Sequence, residues 1–250
     1  MSKVKTMNRQ LLTLLLLSAL AYSCASPIPI SKLSANDNEG KWIAGRKFIT
    51  KELNGHYITL SYYRNDGDML IFDVLYDNRS SDTLIFDPSN ALISAYAPDM
   101  FHLSTQKAVD PELKILEYDR SAAREEARLV NDRISELFIN ATDLATTIVE
   151  STDPRISQEE ADARFIQRNQ MSDSRQLALD RREAFLQEIK NTRVYWEETP
   201  VRKTTVLTNE YISGLLFFER NRDAQFYTVS FTIPKHGTID FEFEQALIKP

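Results

Sequence analysis

"DPELKILEYDRSAAREEARLVNDRISELFINATDLATTIVE", residues 110–150, decides how this chain is organised. Before it, apolar residues alternate in short runs; within it they recur on steps of three and four. Asp110-Pro111-Glu112 supplies a helix start. Asp110 can cap, Pro111 loses nothing by lacking an N–H in the first turn, and Glu112 lies at the positive end of the helix dipole. From there Leu113, Leu116, Ala123, Ala127, Val130, Ile134, Leu137, Ala141, Leu144 and Ile148 keep a heptad rhythm that only Arg120 interrupts.

A break at "STDPRIS", residues 151–157, ends that helix. Ser157-Gln158-Glu159-Glu160 is a capping box that starts another, running to about Trp196. Its apolar stripe is thinner, with Phe165, Met171, Ala178, Phe185, Ile189 and Trp196 predicted to face inward. Two helices of about 40 residues each reach about 60 Å, and the short break predicts an antiparallel hairpin over residues 110–198. The seam, represented by Val130, Ile134, Leu137, Leu144 and Ile148, has two candidate covers. One is the second helix of the same chain. The other is another chain, because the second helix offers Arg168, Ser172, Arg175 and Arg182 where apolar partners belong; the hairpin is then an arm for self-association or for docking a different protein. The many charges of the segment read as a solvated face whose pairs contribute about 0.2–0.5 kcal/mol each.

Outward on both sides the period becomes two. Residues 41–109 hold short apolar runs separated by turn signals, with Asn54-Gly55 and Asp66-Gly67 as two-residue hairpins and Asp87-Pro88 opening a turn. Ile58, Leu60 and Tyr62 share one face, whereas "MLIFDVLY", residues 69–76, is apolar on both faces and predicts a central strand. After Pro200, residues 199–250 return to strands: Tyr227, Val229, Phe231 and Ile233 alternate, Lys235-His236-Gly237 turns, and Ile239, Phe241 and Phe243 alternate again. Neither block has enough strands to bury its own aromatics, so the two are predicted to complete one antiparallel β-sandwich, α+β overall, with the helical hairpin inserted at one loop.

"FDVLYDNRSSDTLIFDPSNALIS", residues 72–94, and "VYWEETPVRKTTVLTNEYISGLLFF", residues 194–218, resemble the immunoglobulin-like, telokin-like sandwich domains of uncharacterised Bacteroidetes envelope lipoproteins with a charged helical insert. That resemblance implies a fold and a compartment and brings no catalytic residues. The opposite end of the chain agrees with it. Lys3, Lys5 and Arg9 precede an apolar run from Leu11 to Ala21, which reads as a secretory signal over residues 1–23. Ala21-Tyr22-Ser23-Cys24 then resembles a lipobox, departing from the usual leucine three places before the cysteine. Cys24 is the single cysteine, so it serves no intramolecular disulfide and is expected to be the acylated first residue of a lipoprotein. Residues 24–40 are expected to be a tether. No acidic cluster follows Cys24, which by the same resemblance favours the outer membrane, facing the periplasm.

Removal of residues 1–23 deletes three positive charges and no acids, taking the formal net charge from -6 to -9. So acidic a chain is a poor ligand for nucleic acid. His56, His102 and His236 occur singly, without metal-ligand spacing, and are read as turn or surface residues. No phosphate loop, dinucleotide fingerprint or nucleophile elbow occurs, and six glycines are few for such loops. The expectation is therefore a non-enzyme with no cofactor, no metal and no catalytic residue, in which the sandwich is a platform and the helical arm makes protein contacts. A glycan- or peptidoglycan-binding module, using some of the thirteen Phe and ten Tyr, is the alternative, and a hydrolase built on paired carboxylates the third reading.

Overall fold

The apolar run at residues 69–76 is where the architecture is set. In the computed structural model, which describes residues 30–36 and 40–248, it becomes a strand with neighbours on both edges and covered faces on both sides. The elements before the helices are β1 (Ile30–Ala35), β2 (Lys41–Ile43), β3 (Arg46–Leu53), β4 (His56–Asp66), β5 (Met69–Asn78), β6 (Leu84–Phe86), β7 (Ala91–Tyr96) and β8 (His102–Lys107). Then come α1 (Pro111–Thr152) and α2 (Gln158–Glu198), followed by β9 (Thr204–Val206), β10 (Glu210–Glu219), β11 (Phe226–Ile233) and β12 (Gly237–Ile248). The protein is α+β: among the described residues there are twelve strands in antiparallel sheets and two long helices.

One five-stranded sheet runs β1-β12-β11-β7-β8, a second runs β10-β5-β4-β3-β2, and β6 pairs with β9 in a small third. Both five-stranded sheets combine strands from before and after the helices. β5 pairs with β10 from Met69↔Glu219 to Asn78↔Glu210, and β7 pairs with β11 from Ala91↔Phe231 to Tyr96↔Phe226. The inward faces meet in one core: Ile58, Leu60, Phe72, Val74 and Tyr76 from one sheet, Ile93, Val229, Phe231, Phe241 and Phe243 from the other. Phe72 lies edge-on to Tyr62, Phe218 and Phe243 at 5.0–5.9 Å between ring centres. Each such phenylalanine contributes about 1.5–3 kcal/mol by leaving water.

The second apolar face of β5 has a different use. Ile71 there, with Phe217 of β10, packs against Ile115 of α1 and Trp196 of α2, so a separate small cluster roots the helices on the outside of this sheet. Arg202, just past α2, clamps the start of α1 with two hydrogen bonds to Glu112, at 2.7 and 2.8 Å. The caps are as the residues dictate: Asp110 accepts from the Glu112 N–H at 2.9 Å and Ser157 from the Glu160 N–H at 3.2 Å. Where the chain leaves α2 it crosses β10 so closely that a side chain at Gly214 would sit 2.6 Å from the Val201 nitrogen. Only glycine permits that crossing.

Two expectations are corrected. Residues 30–35, read as tether, are an edge strand: β1 pairs with β12 from Ile30↔Ile248 to Ala35↔Phe243, and Leu33 and Ala35 are buried. The polar residues between them hid the alternation, and the strand exists only because β12, from the far end of the chain, offers an edge. The second hairpin loop is Gly67-Asp68 and not Asp66-Gly67, since Asp66 still pairs with Met69. Asn54-Gly55 does form its turn, with both residues at positive φ. Cys24 and the segment before it lie outside the described residues.

Candidate functional site

Helical wheels put the chemistry of α1 on the reverse side from the one the apolar rhythm announces. Its shielded positions include Ile115, Tyr118, Ala122, Glu125, Leu129, Asp132, Glu136, Asp143, Thr146 and Glu150. These also keep heptad rhythm, but two residues later than the predicted seam, and two residues are about 200° of helix. On α2 the shielded set includes Arg168, Ser172, Arg175, Leu179, Arg182, Leu186, Ile189 and Trp196.

The two helices therefore face each other through a ladder of ion pairs. Arg193 reaches Asp119 at 2.7 Å and Lys190 reaches Glu126 at 2.7 Å. Arg182 spans Glu125 at 3.3 Å and Asp132 at 2.9 Å, and Arg175 spans Glu136 at 2.8 Å and Asp143 at 3.3 Å. Near the far end Glu150 takes Arg168 at 2.7 Å and Arg164 at 3.0 Å. Hydrogen bonds from those two arginines hold the Glu150 carboxyl below the usual carboxylate range. Glu125 is buried and shared between Arg182 and Arg128. The carboxylates read as a solvated face are thus the contact between the helices for much of its length.

The apolar seam consequently faces solvent. Val130, Ile134, Leu137, Leu144 and Ile148 are all exposed, from 47 % at Ile134 to 71 % at Leu137, and the second helix does not cover them. Leu113 and Leu116 are exposed as well, and Phe138 and Val149 widen the stripe toward the tip. Between residues 134 and 149 the only charged side chains are Glu136 and Asp143, and both are turned to Arg175. On α2, Ile189 and Trp196 are buried as predicted, while Phe165, Met171 and Phe185 are exposed and Leu186 takes the inward place.

At the helix root a cleft of about 490 Å³ opens between α2 and the outer face of the β5–β10 sheet. It is lined by the apolar Met69, Ile71, Phe217 and Trp196, with Tyr118, Tyr195, Asp66 and Glu188. Burial pushes the Tyr195 phenol up, against the pull of Arg64 beside it. This volume suits a small ligand, and a mostly apolar floor with a polar rim is the usual form of such sites.

The histidines are the third feature. Two that stand far apart in the sequence meet: His56 is fully buried, and His236 lies edge-on to it with ring centres 4.7 Å apart. His56 Nδ1 is 2.7 Å from the Tyr76 hydroxyl, and its Nε2 has no hydrogen-bond partner. Desolvation pushes the His56 pKa down, His236 adds to the effect, and Asp82 and Glu52 oppose it. His102 sits apart on β8, bonded to Thr105 at 2.8 Å. Among the described residues no three His, Cys, Asp or Glu side chains converge as a metal site. Sequence reasoning missed this pair and the cleft, because both are made by elements brought together only in the fold.

No protein-family model, curated protein or solved structure matches this chain. No described helix is long and apolar enough to cross a membrane.

Proposed function

We propose that this chain is a non-enzymatic, lipid-anchored protein of the cell envelope, held at the outer membrane by Cys24 and facing the periplasm. Its two sheets are an immunoglobulin-like sandwich serving as platform, and α1 and α2 are an inserted helical hairpin serving as an arm for protein–protein contact. One observation carries the reading. A heptad seam that its own partner helix leaves in water, while charges fill the interhelical contact, is a surface prepared for another protein, since solvent rewards the reverse arrangement.

The test is made in the native envelope. Crosslinking of the wild-type protein is expected to give a defined adduct, and Leu137→Glu with Leu144→Glu is expected to abolish it while leaving helix content unchanged. An adduct indifferent to both substitutions removes the seam from the reading. Mass analysis of the peptide carrying Cys24 checks the anchor: an unacylated thiol refutes it.

The root cleft favours one second reading, a glycan- or peptidoglycan-binding module, because aromatic rings and polar rim groups stack and hydrogen-bond sugar rings. Calorimetry with peptidoglycan fragments decides it. Binding that Tyr195→Ala removes and the seam variants spare would reverse the order of the two readings.

A further inference from the structure

We infer that the protein covering the seam is a second copy of this chain, with the two α1 helices packed antiparallel about a two-fold axis lying between Ile134 and Leu137. This rests on the reading of the arm as a contact surface and adds the identity of the partner.

A strict step of three and four is the pattern of a two-helix seam, in which each side chain enters a hole on a facing helix with the same period. A like helix is the simplest partner, and a two-fold contact uses the same patch twice. The residues then choose the orientation. In a parallel pair in register each residue meets itself, so Arg120 faces Arg120 of the partner subunit and the small Ala123, Ala127 and Ala141 leave gaps. In the antiparallel register centred between Ile134 and Leu137 every alanine meets a large residue. Ala123 faces Ile148 of the partner subunit, Ala127 faces Leu144 of the partner subunit, Ala141 faces Val130 of the partner subunit, and Ile134 faces Leu137 of the partner subunit. Arg120 falls opposite the hydroxyl of Ser151 of the partner subunit.

The flanks agree. Glu126 lies beside Thr147 of the partner subunit, Arg133 beside Asn140 of the partner subunit, and Arg124 beside Ala145 of the partner subunit, so no like charges confront one another. Sliding one heptad in one direction sets Arg120 against Leu144 of the partner subunit and Ala123 against Ala141 of the partner subunit. Sliding in the other direction sets Ala127 against Ser151 of the partner subunit and leaves Ala123 beyond the end of the facing helix. The overlap of residues 120–151 is about 46 Å long, and at a helix width of about 10 Å it covers roughly 900 Å² summed over both chains. That is below the roughly 1,200 Å² at which stable specific interfaces begin and in the range of weak, transient ones, so the association is reversible and rises with concentration.

The experiment uses the full chain with Cys24→Ser, so that introduced thiols are the only ones. Ala127→Cys and Leu144→Cys are prepared separately and then mixed. Under mild oxidation the mixture is expected to give a disulfide-linked dimer and each variant alone is not, because like positions stand about 25 Å apart in the antiparallel pair. Sedimentation is expected to show a monomer–dimer equilibrium that Leu137→Glu weakens more than tenfold, Leu137 being exposed enough that the fold tolerates the change. Crosslinking of each variant with itself overturns the antiparallel arrangement. A protein that stays monomeric at several hundred micromolar overturns the self-association. If that monomer still gives a Leu137-dependent envelope adduct, the arm reading survives without it; if it gives none, both fall.

Discussion

The sheets and the helices of this protein obey opposite rules about what lies inside. Between the sheets the interior is apolar and aromatic, centred on Phe72, Phe218, Phe241 and Phe243. Between the helices it is largely ionic, built on Glu125, Asp132, Glu136, Asp143 and Glu150 against Arg168, Arg175 and Arg182, and Leu113, Leu116, Leu137 and Leu144 are outside. The lesson concerns what a hydrophobic period means. In the sheets it marks the face that folding buries, whereas in α1 it marks a face that folding leaves in solvent.

The largest test of this contrast compares two truncations of large apolar residues. Phe72→Ala is expected to lower unfolding free energy by about 3–5 kcal/mol, since a fully buried ring leaves a cavity among three other aromatics. Leu137→Ala is expected to change it by less than about 0.5 kcal/mol. Denaturant melts at low protein concentration read both, and a comparable loss for Leu137→Ala would mean that the seam is covered within the chain.

A second test strikes the ionic ladder. Glu125→Ala leaves Arg182 short of a buried partner and is expected to cost about 1–3 kcal/mol, read as faster amide exchange along both helices but not in β5. Glu125→Leu together with Arg182→Leu removes both charges and is expected to be neutral or stabilising, because apolar residues avoid the desolvation that ions suffer. If the double variant were the worse of the two, the ladder would be worth more than the apolar contact it displaces.

The smallest effects separate the two regions by pH. His56 has a lowered pKa in the folded protein, so below 6.5 the unfolded chain binds the extra proton and stability falls with pH until the folded histidine also titrates. That loss belongs to the sheets, and His56→Gln is expected to flatten it. Glu150 also has a lowered pKa, and its contribution is present above 4.5 and disappears as pH falls through the folded value. Exchange measured from pH 7 to pH 3 should therefore loosen the strands around His56 first and the helix tip later; the reverse order contradicts the assignment.

Much of the sheet pattern was legible because it is local. The alternation at Ile58, Leu60 and Tyr62, the two-faced run of β5, the Asn54-Gly55 turn and the caps at Asp110 and Ser157 each depend on a few neighbouring residues. β1 was not legible, because two inward residues, Leu33 and Ala35, are too few to announce a strand. The helix contact was written in the sequence in the wrong alphabet: Arg168, Arg175 and Arg182 recur at sevens, as do Glu136, Asp143 and Glu150, but an apolar rhythm two residues away drew the reading. The meeting of His56 and His236 needed the β3–β4 turn and the β11–β12 turn to be neighbours, which no spacing encodes.

The edge strand at residues 30–35 also sets a length scale. If Cys24 carries acyl chains, only five residues separate it from Ile30, a leash of at most about 20 Å, against helices of about 60 Å. A body so tethered could not roam far above the lipid. The reach of this molecule would then come from its helices, with the tip at residues 151–157 able to touch neighbours several protein radii away while the sheets stay moored.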